Sequence, residues 1–449
     1  MNSKHFSNIL FILIPFICSF GALFYFSFIP DFCCDVYQYI HISQSFDSHG
    51  FLYPHSGSEL RNYFYPYLLS IFAGGSIYNL TSFLSFSKLT IFFMVFISSF
   101  FFMCSMNRTI KNVFFSSLIV ISLFLNPLLA TIYTLPLTEL YVFPLVVFLL
   151  CISNVCLSQS SSMSFFYKLT LFFLFPLILS FLILLRPANL ILIFPSFILL
   201  FYFVIISKAN MINVFSFIFF LICPFFPQLY FNSVVFNEIS ILPVGGLGAK
   251  QFYWGLTYVK YGTFYIDGIA EGMKYRTWLT DELLEKYSSS SLFFYIKEAP
   301  SSILLLLAHI FNSLNYDFLF TYVNEREYRI ISWHQILSSI MTVLGFTYVW
   351  FLLASWRNYK SRLNDYFLVL ILFSFLAMNS VVAVETRFGM VPHMILTILS
   401  SLLFINLSEV RLYINFKVFW FFGLLYVALS TYISYFFVSG LGGVDIVLM

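Results

Sequence analysis

The chain has 449 residues, of which 61% are hydrophobic and only 9% charged. Ordinary globular chains carry about 45–50% apolar and about 25% charged residues, so this charge cannot coat a water-soluble body of such length. The net charge of +3 comes without a clustered basic face, which argues against a nucleic-acid partner. These figures predict an all-α polytopic membrane protein, read as one membrane domain over 1–449.

A bilayer core of about 30 Å needs about 20 apolar residues per helix. About eleven runs meet that need, near 9–28, 86–105, 113–130, 140–156, 169–185, 188–206, 213–231, 335–355, 366–382, 388–405 and 418–437. The first follows Lys4, is long and ends in no small-residue cleavage site, so it is expected to stay as an anchor. Runs 65–78 and 302–314 are too short to span and are expected to be interfacial or re-entrant helices.

With the N-terminus inside, the short inner segments hold Lys4, Arg108, Lys111, Lys168, Lys208, Arg357, Lys360, Arg362, Arg411 and Lys417. The acids among them are Asp365 and Glu409, a distribution that follows the positive-inside rule. The polar mass then lies outside, in a first loop, 29–85, and a long region, 232–333. Cys18, Cys104, Cys151, Cys156 and Cys223 lie in apolar runs and read as packing. Cys33-Cys34 form either two free thiols or a vicinal disulfide. The histidines show no metal-ligand pairing.

An ionisable residue near membrane depth needs a reason to be there. Asp35, Tyr39, Ile42 and Phe46 recur at helical spacing, so they share a face of a short helix that Gly50 would end. Asp35 could take a proton from a bound hydroxyl or serve as an N-cap. Arg61 and Tyr65, in Arg61-Asn62-Tyr63-Phe64-Tyr65-Pro66, could bind phosphate or anchor at the interface. Glu139 opens an apolar helix, where the dipole alone favours it. Arg186-Pro187 sits between two apolar runs with almost no loop, so Arg186 needs an anion or a carboxylate. Glu385 and Arg387, two apart, would not face each other on a helix, so each is expected to find its partner elsewhere. Lys250, Tyr253, Trp254, Lys260 and Tyr261 could line a groove or form an aromatic belt. Asp267, Asp281, Glu282 and Glu285 read as a solvated face, and Asp317 and Tyr322 as further candidate acceptor contacts.

The order and sidedness of these sets resemble the GT-C superfamily of integral membrane glycosyltransferases. Nearest are the bacterial aminoarabinose transferases, the protein O-mannosyltransferases and the O-antigen-modifying enzymes. Asp35 stands where that family places an Asp after its first membrane helix, with Asp31 as an alternative. Arg61 to Pro66 matches an Arg, aromatics and a Pro; Tyr65 occupies a position that is Lys in some members. Thr138-Glu139, Arg186-Pro187 and Glu385-Thr386-Arg387-Phe388 match its later motifs. Val36 departs from the family, which has a second acid there.

The resemblance implies a GT-C-like bundle of about eleven spans with interfacial helices in the outer loops. It implies an inverting transfer from a polyprenyl-phosphate-sugar donor to a lipid-linked glycan or glycolipid, such as O-antigen, outside a bacterial inner membrane. Asp35 and Glu139 would be catalytic; Arg61, Arg186, Arg387 and Lys88 would bind the donor phosphate. Asp31, Tyr39, Tyr65, Glu385, Tyr253 and Trp254 would contact substrate. Members differ in metal dependence, so no cofactor is assigned and a magnesium or manganese ion is left open. An O-antigen polymerase or ligase, and a lipid-linked glycan flippase or transporter, are the rival readings.

Overall fold

A computed structural model describes residues 3–27, 35–52, 60–73, 80–134, 138–158, 168–207, 211–266, 269–315, 332–357 and 362–439. Among them, eight helices are long and apolar enough to cross a membrane. They are Ile9–Phe26, Leu84–Ile110, Glu139–Ser158, Pro187–Ile205, Met211–Val235, His334–Ala354, Arg387–Ile405 and Phe416–Ser434. The number is nine if Ser291–Lys297 and Ser301–Leu314, bent by 117°, form one span. Val113–Leu129, Thr170–Leu185 and Leu363–Asn379 are apolar but shorter. The chain is therefore a multi-pass helical membrane protein. Each of the eleven apolar runs overlaps a helix among the described residues, and three of those helices are not spans by length alone.

The chain packs as two compact units. The first holds Met1–Ile29, Cys34–Leu125 and Ile132–Leu247; the second holds Pro30–Cys33, Asn126–Thr131 and Gly248–Met449. In the first, helix Ser3–Phe26 packs along Leu80–Ile110, which packs in turn along Glu139–Ser158. Phenylalanines fill the seam: Phe16 and Phe96 lie 4.8 Å apart, and Phe20 meets Phe92 edge-on at 5.5 Å. Glu139–Ser158 is the enclosed helix of this unit, with 83% of its apolar window buried.

Helix ends are closed by local chemistry. The Asn112 carboxamide oxygen accepts from the Phe114 and Phe115 amides and caps Val113–Phe124. Helix Asp35–His49 ends at Gly50, whose φ of +88° suits a residue without Cβ, and the Gly50 amide donates to the Phe46 carbonyl. Tyr39, Ile42 and Phe46 are all buried on this helix, as its periodicity predicts.

In the second unit, helices Ser332–Ala354 and Met390–Ile405 pack closely at Gly345. A Cβ there would lie 2.5 Å from Leu396 Cδ2 and 3.2 Å from Leu396 Cα. Such close approach at a small residue is how membrane helices gain packing energy in a solvent as apolar as they are. A buried polar seam ties in helix Phe416–Ser439. Gln335 Nε2 donates to Asn315 Oδ1 (3.1 Å) and Ser430 Oγ (3.1 Å), and Thr431 Oγ1 donates to Gln335 Oε1 (2.8 Å).

The fold is not wholly helical. Strands Tyr258–Ile266 and Ile269–Arg276 form an antiparallel hairpin whose last pair is Ile266 with Ile269. Asp267-Gly268 lies between them in sequence, a dipeptide that favours the tight turn such a hairpin needs. Asp267 itself lies outside the described residues.

Gly345→Ile is expected to destabilise the protein by roughly 1–3 kcal/mol through overpacking against Leu396. Gly248→Ala, on helix Leu247–Thr257 with open space around its Cβ position, should be neutral or slightly stabilising. Thermal unfolding in detergent checks both.

Candidate functional site

The first unit brings several distant residues together. Arg186 interrupts the helical path between Phe175–Leu185 and the 3-10 segment Pro187–Leu192, with extended φ and ψ of −147° and 113°. Pro187 removes an amide donor, so the helix stops there without stranding one. Asn189 Nδ2 donates to the Leu182 carbonyl (2.8 Å) and fixes the corner.

The partner that Arg186 requires is a protein carboxylate. Arg186 Nη1 donates to Glu139 Oε1 at 2.7 Å, with the two side chains 14% and 7% exposed. Thr138 Oγ1 donates to the other oxygen, Oε2, at 3.1 Å. Glu139 is thus more than a favourable first-turn residue; it is the counter-ion of an arginine 47 positions away.

A run of aromatic contacts leads from this pair to the first loop. Tyr141, one half-turn after Glu139, meets Tyr65 with ring centroids 5.3 Å apart. Tyr65 meets Tyr39 edge-on at 4.9 Å. The Arg61 guanidinium lies 5.2 Å above the Tyr39 ring, and its Nε donates to Gln38 Oε1 at 2.8 Å. The Arg61 segment is docked by its neighbours. Asn62 Nδ2 donates to the Ile183 carbonyl (3.2 Å), and the Tyr63 amide donates to Gln228 Oε1 (2.8 Å). Gln228 and Asn232, both buried, extend that network to the Ser240 and Leu242 carbonyls.

Tyr65 is 2% exposed, so it packs beneath this cluster. Burial first, then neighbouring Tyr141, Tyr39 and Glu139, hold its hydroxyl well above the ordinary tyrosine value. It therefore stays protonated at neutral pH and keeps an O–H to donate. Asp35 is the first residue of the helix that carries Gln38 and Tyr39; its side chain lies outside the described residues, as does Asp31 entirely. Lys88 is exposed on helix Leu80–Ile110 beside exposed Leu89, whereas its neighbour Ser87 is buried.

Glu385 and Arg387 belong to the second unit, and here the structure corrects the sequence reading. Arg387 Nε donates to Glu385 Oε2 at 2.6 Å. The expectation of separate partners assumed a continuous helix. Glu385 is instead extended (φ −98°, ψ 150°) before the short 3-10 turn Thr386–Gly389. Two residues apart in this geometry, the side chains meet. The segment is braced from both sides: Asn379 Nδ2 donates to Ser313 Oγ (2.7 Å) and to the Phe388 carbonyl (3.0 Å).

Tyr253 and Trp254 are half-buried on helix Leu247–Thr257, and Lys250 on the same helix is exposed. Lys260 is buried, with Nζ 3.4 Å from the Asn315 carbonyl. Asp281, Glu282 and Glu285 are exposed, in line with a solvated face. Asp317, Tyr322, Cys33 and Cys34 lie outside the described residues. Cys18, Cys151 and Cys156 are buried and Cys104 and Cys223 half-buried, all five as free thiols. Among the described residues, no group of three or more His, Cys, Asp and Glu side chains could hold a metal ion. Gln38 and Tyr141 join the site unforeseen. The signal for Gln38 was its place one turn after Asp35, and for Tyr141 its place two residues after Glu139.

Glu139→Gln should leave Arg186 buried without its counter-charge and destabilise the fold by about 3–5 kcal/mol. The double change Glu139→Gln with Arg186→Met should recover much of that loss, and a double-mutant cycle on thermal unfolding reads the coupling. No family model matches this chain, and no curated protein matches it.

Proposed function

We propose that the protein is an inverting membrane glycosyltransferase of GT-C type, with eleven crossings, an inner N-terminus and a site facing outward. One observation carries the reading: the aromatic run Tyr39–Tyr65–Tyr141 joins the helix that Asp35 opens, the Arg61 segment and the Glu139–Arg186 pair in one unit. Four short segments, far apart in sequence, bring cationic, acidic and aromatic groups to one place.

In the proposed reaction, an acceptor hydroxyl attacks the anomeric carbon of a polyprenyl-phosphate sugar. The O–H proton passes to the Asp35 carboxylate as the new carbon–oxygen bond forms. The bond from the anomeric carbon to the phosphate oxygen breaks, and the electron pair leaves on the lipid phosphate. Attack opposite to departure inverts the anomeric configuration. Arg61 and Arg186, both in the first unit, stabilise the phosphate charge that develops. The planar five-donor fork of arginine lets one guanidinium hold a carboxylate and a phosphate together, which suits Arg186 beside Glu139. Tyr65 supplies a protonated hydroxyl, and Glu139 fixes Arg186 and orients the acceptor. A membrane-borne donor needs no soluble nucleotide-binding domain, and activated nucleotide sugars do not reach the outer face. A bacterial inner membrane, O-antigen or a related glycolipid as acceptor, and any metal requirement are parts of this proposal.

Mass analysis of cell-envelope glycans with and without the chain tests the reading, with gain of a sugar-sized increment as the expected result. Asp35→Asn should lower transfer by about 10²–10⁴-fold while the protein still inserts; wild-type yield would remove Asp35 as the base. A cysteine placed at Ser289, which is exposed, should react with an impermeant maleimide from outside intact cells. Reaction only after permeabilisation would reverse the orientation.

A further inference from the structure

The long loop region contains a small core and, on its outside, an apolar face. Helix Ser291–Lys297 turns Phe294, which has no exposure, into a cluster with Leu256, Val259, Leu284, Tyr287 and Leu305. That packing fixes the rotation of the helix. Leu292 (49% exposed), Phe293 (54%) and Ile296 (77%) are then held outward together; spaced i, i+1 and i+4, they share one face.

The next helix, Ser301–Leu314, repeats the pattern. It buries Ser302, Leu305, His309 and Asn312 and exposes Ile303, Leu304 and Leu307. At 14 residues it is about 21 Å long, too short for a hydrocarbon core of about 30 Å. The two helices meet at 117°, so if one dips into hydrocarbon the other runs back along its surface.

The geometry points to Ser291–Lys297 as an interfacial helix that rests Leu292, Phe293 and Ile296 in the headgroup–acyl boundary of the bilayer, beside the shallow insertion of Ser301–Leu314. The occupant is lipid because the helix packs against Ser301–Leu314, with which it is apolar enough for a membrane and whose Ile303, Leu304 and Leu307 are likewise exposed. Its rim is also that of an interfacial element. Lys297 Nζ lies 5.7 Å over the Phe293 ring, a cation at the edge of the apolar face, where a lysine keeps its ammonium at headgroup level. The polar edge is tied off from the lipid: Lys286 Nζ and Tyr287 Oη both donate to Glu298 Oε1, at 2.9 and 2.6 Å. The loop core is thereby pinned to the membrane surface, and the inference stands whether or not the protein transfers sugars.

Photocrosslinking on the full chain tests it. p-Benzoylphenylalanine is placed at Phe293, at Ile296 or, as a control, at Glu282, which is exposed on the neighbouring helix Asp281–Lys286. Each variant is reconstituted in phosphatidylcholine–phosphatidylglycerol vesicles and illuminated, and adducts are read by mass. The expected result is about tenfold more phospholipid adduct at Phe293 and Ile296 than at Glu282. These side chains point away from the packed core, so folding is not at stake, and intact thermal unfolding confirms it. Lipid adduct no higher than at Glu282, or adducts mainly between two chains, would overturn the assignment.

Discussion

The ion pair between Arg186 and Glu139 is the constraint around which the first unit is arranged. A charge held among apolar helices costs far more than one in water unless a counter-charge is at hand. Arg186 sits where two helical segments meet with no loop to carry it into solvent. Glu139 begins the most enclosed helix of the unit, and Thr138 holds its second oxygen. Neither side chain can leave without exposing the other, so the ends of two membrane helices are locked at one level. The tyrosines packed next to this pair inherit a fixed floor, and through Tyr39 so does the helix that Asp35 opens.

Backbone polarity imposes the second constraint. Membrane-depth segments need every amide and carbonyl satisfied within the protein, and breaks in a helix survive only where side chains or neighbours fill in. The described breaks obey this. Asn126 accepts from the Leu128 amide and donates to Thr397 Oγ1 at the break before Pro127. Asn189 repairs the corner at Arg186, and Asn379 braces the turn at Phe388. In each case a carboxamide does the repair, because it offers both donor and acceptor on a short, uncharged side chain.

The two arginine–glutamate pairs formed by the candidate residues have different consequences for chemistry. Arg186–Glu139 joins separate helices and resists separation. Arg387–Glu385 is formed within one extended turn, where local geometry alone brings the groups together. Arg61 is held by an amide oxygen and an aromatic face. A site that handles a charged leaving group needs cations that are both fixed and partly offset, since a bare buried guanidinium would destabilise the fold before any ligand arrived. In the reaction proposed for the first unit, Glu139 supplies that offset to Arg186, and Gln38 and Tyr39 to Arg61.

Sequence alone determined the features that depend on neighbours along the chain. Run length against bilayer thickness gave a multi-pass helical protein, and the spacing of Tyr39, Ile42 and Phe46 with Gly50 after them gave a short helix with one buried face. The hairpin of Tyr258–Ile266 and Ile269–Arg276 was not foreseen, because the apolar bias of the whole chain pointed to helices throughout. Only tertiary structure decided that Arg186 meets Glu139, that Tyr65 packs between Tyr39 and Tyr141, and that Glu385 and Arg387 pair. Hydrophobic periodicity records which face of an element avoids water. It carries no record of which distant charge will neutralise another, because that is set by how the helices pack.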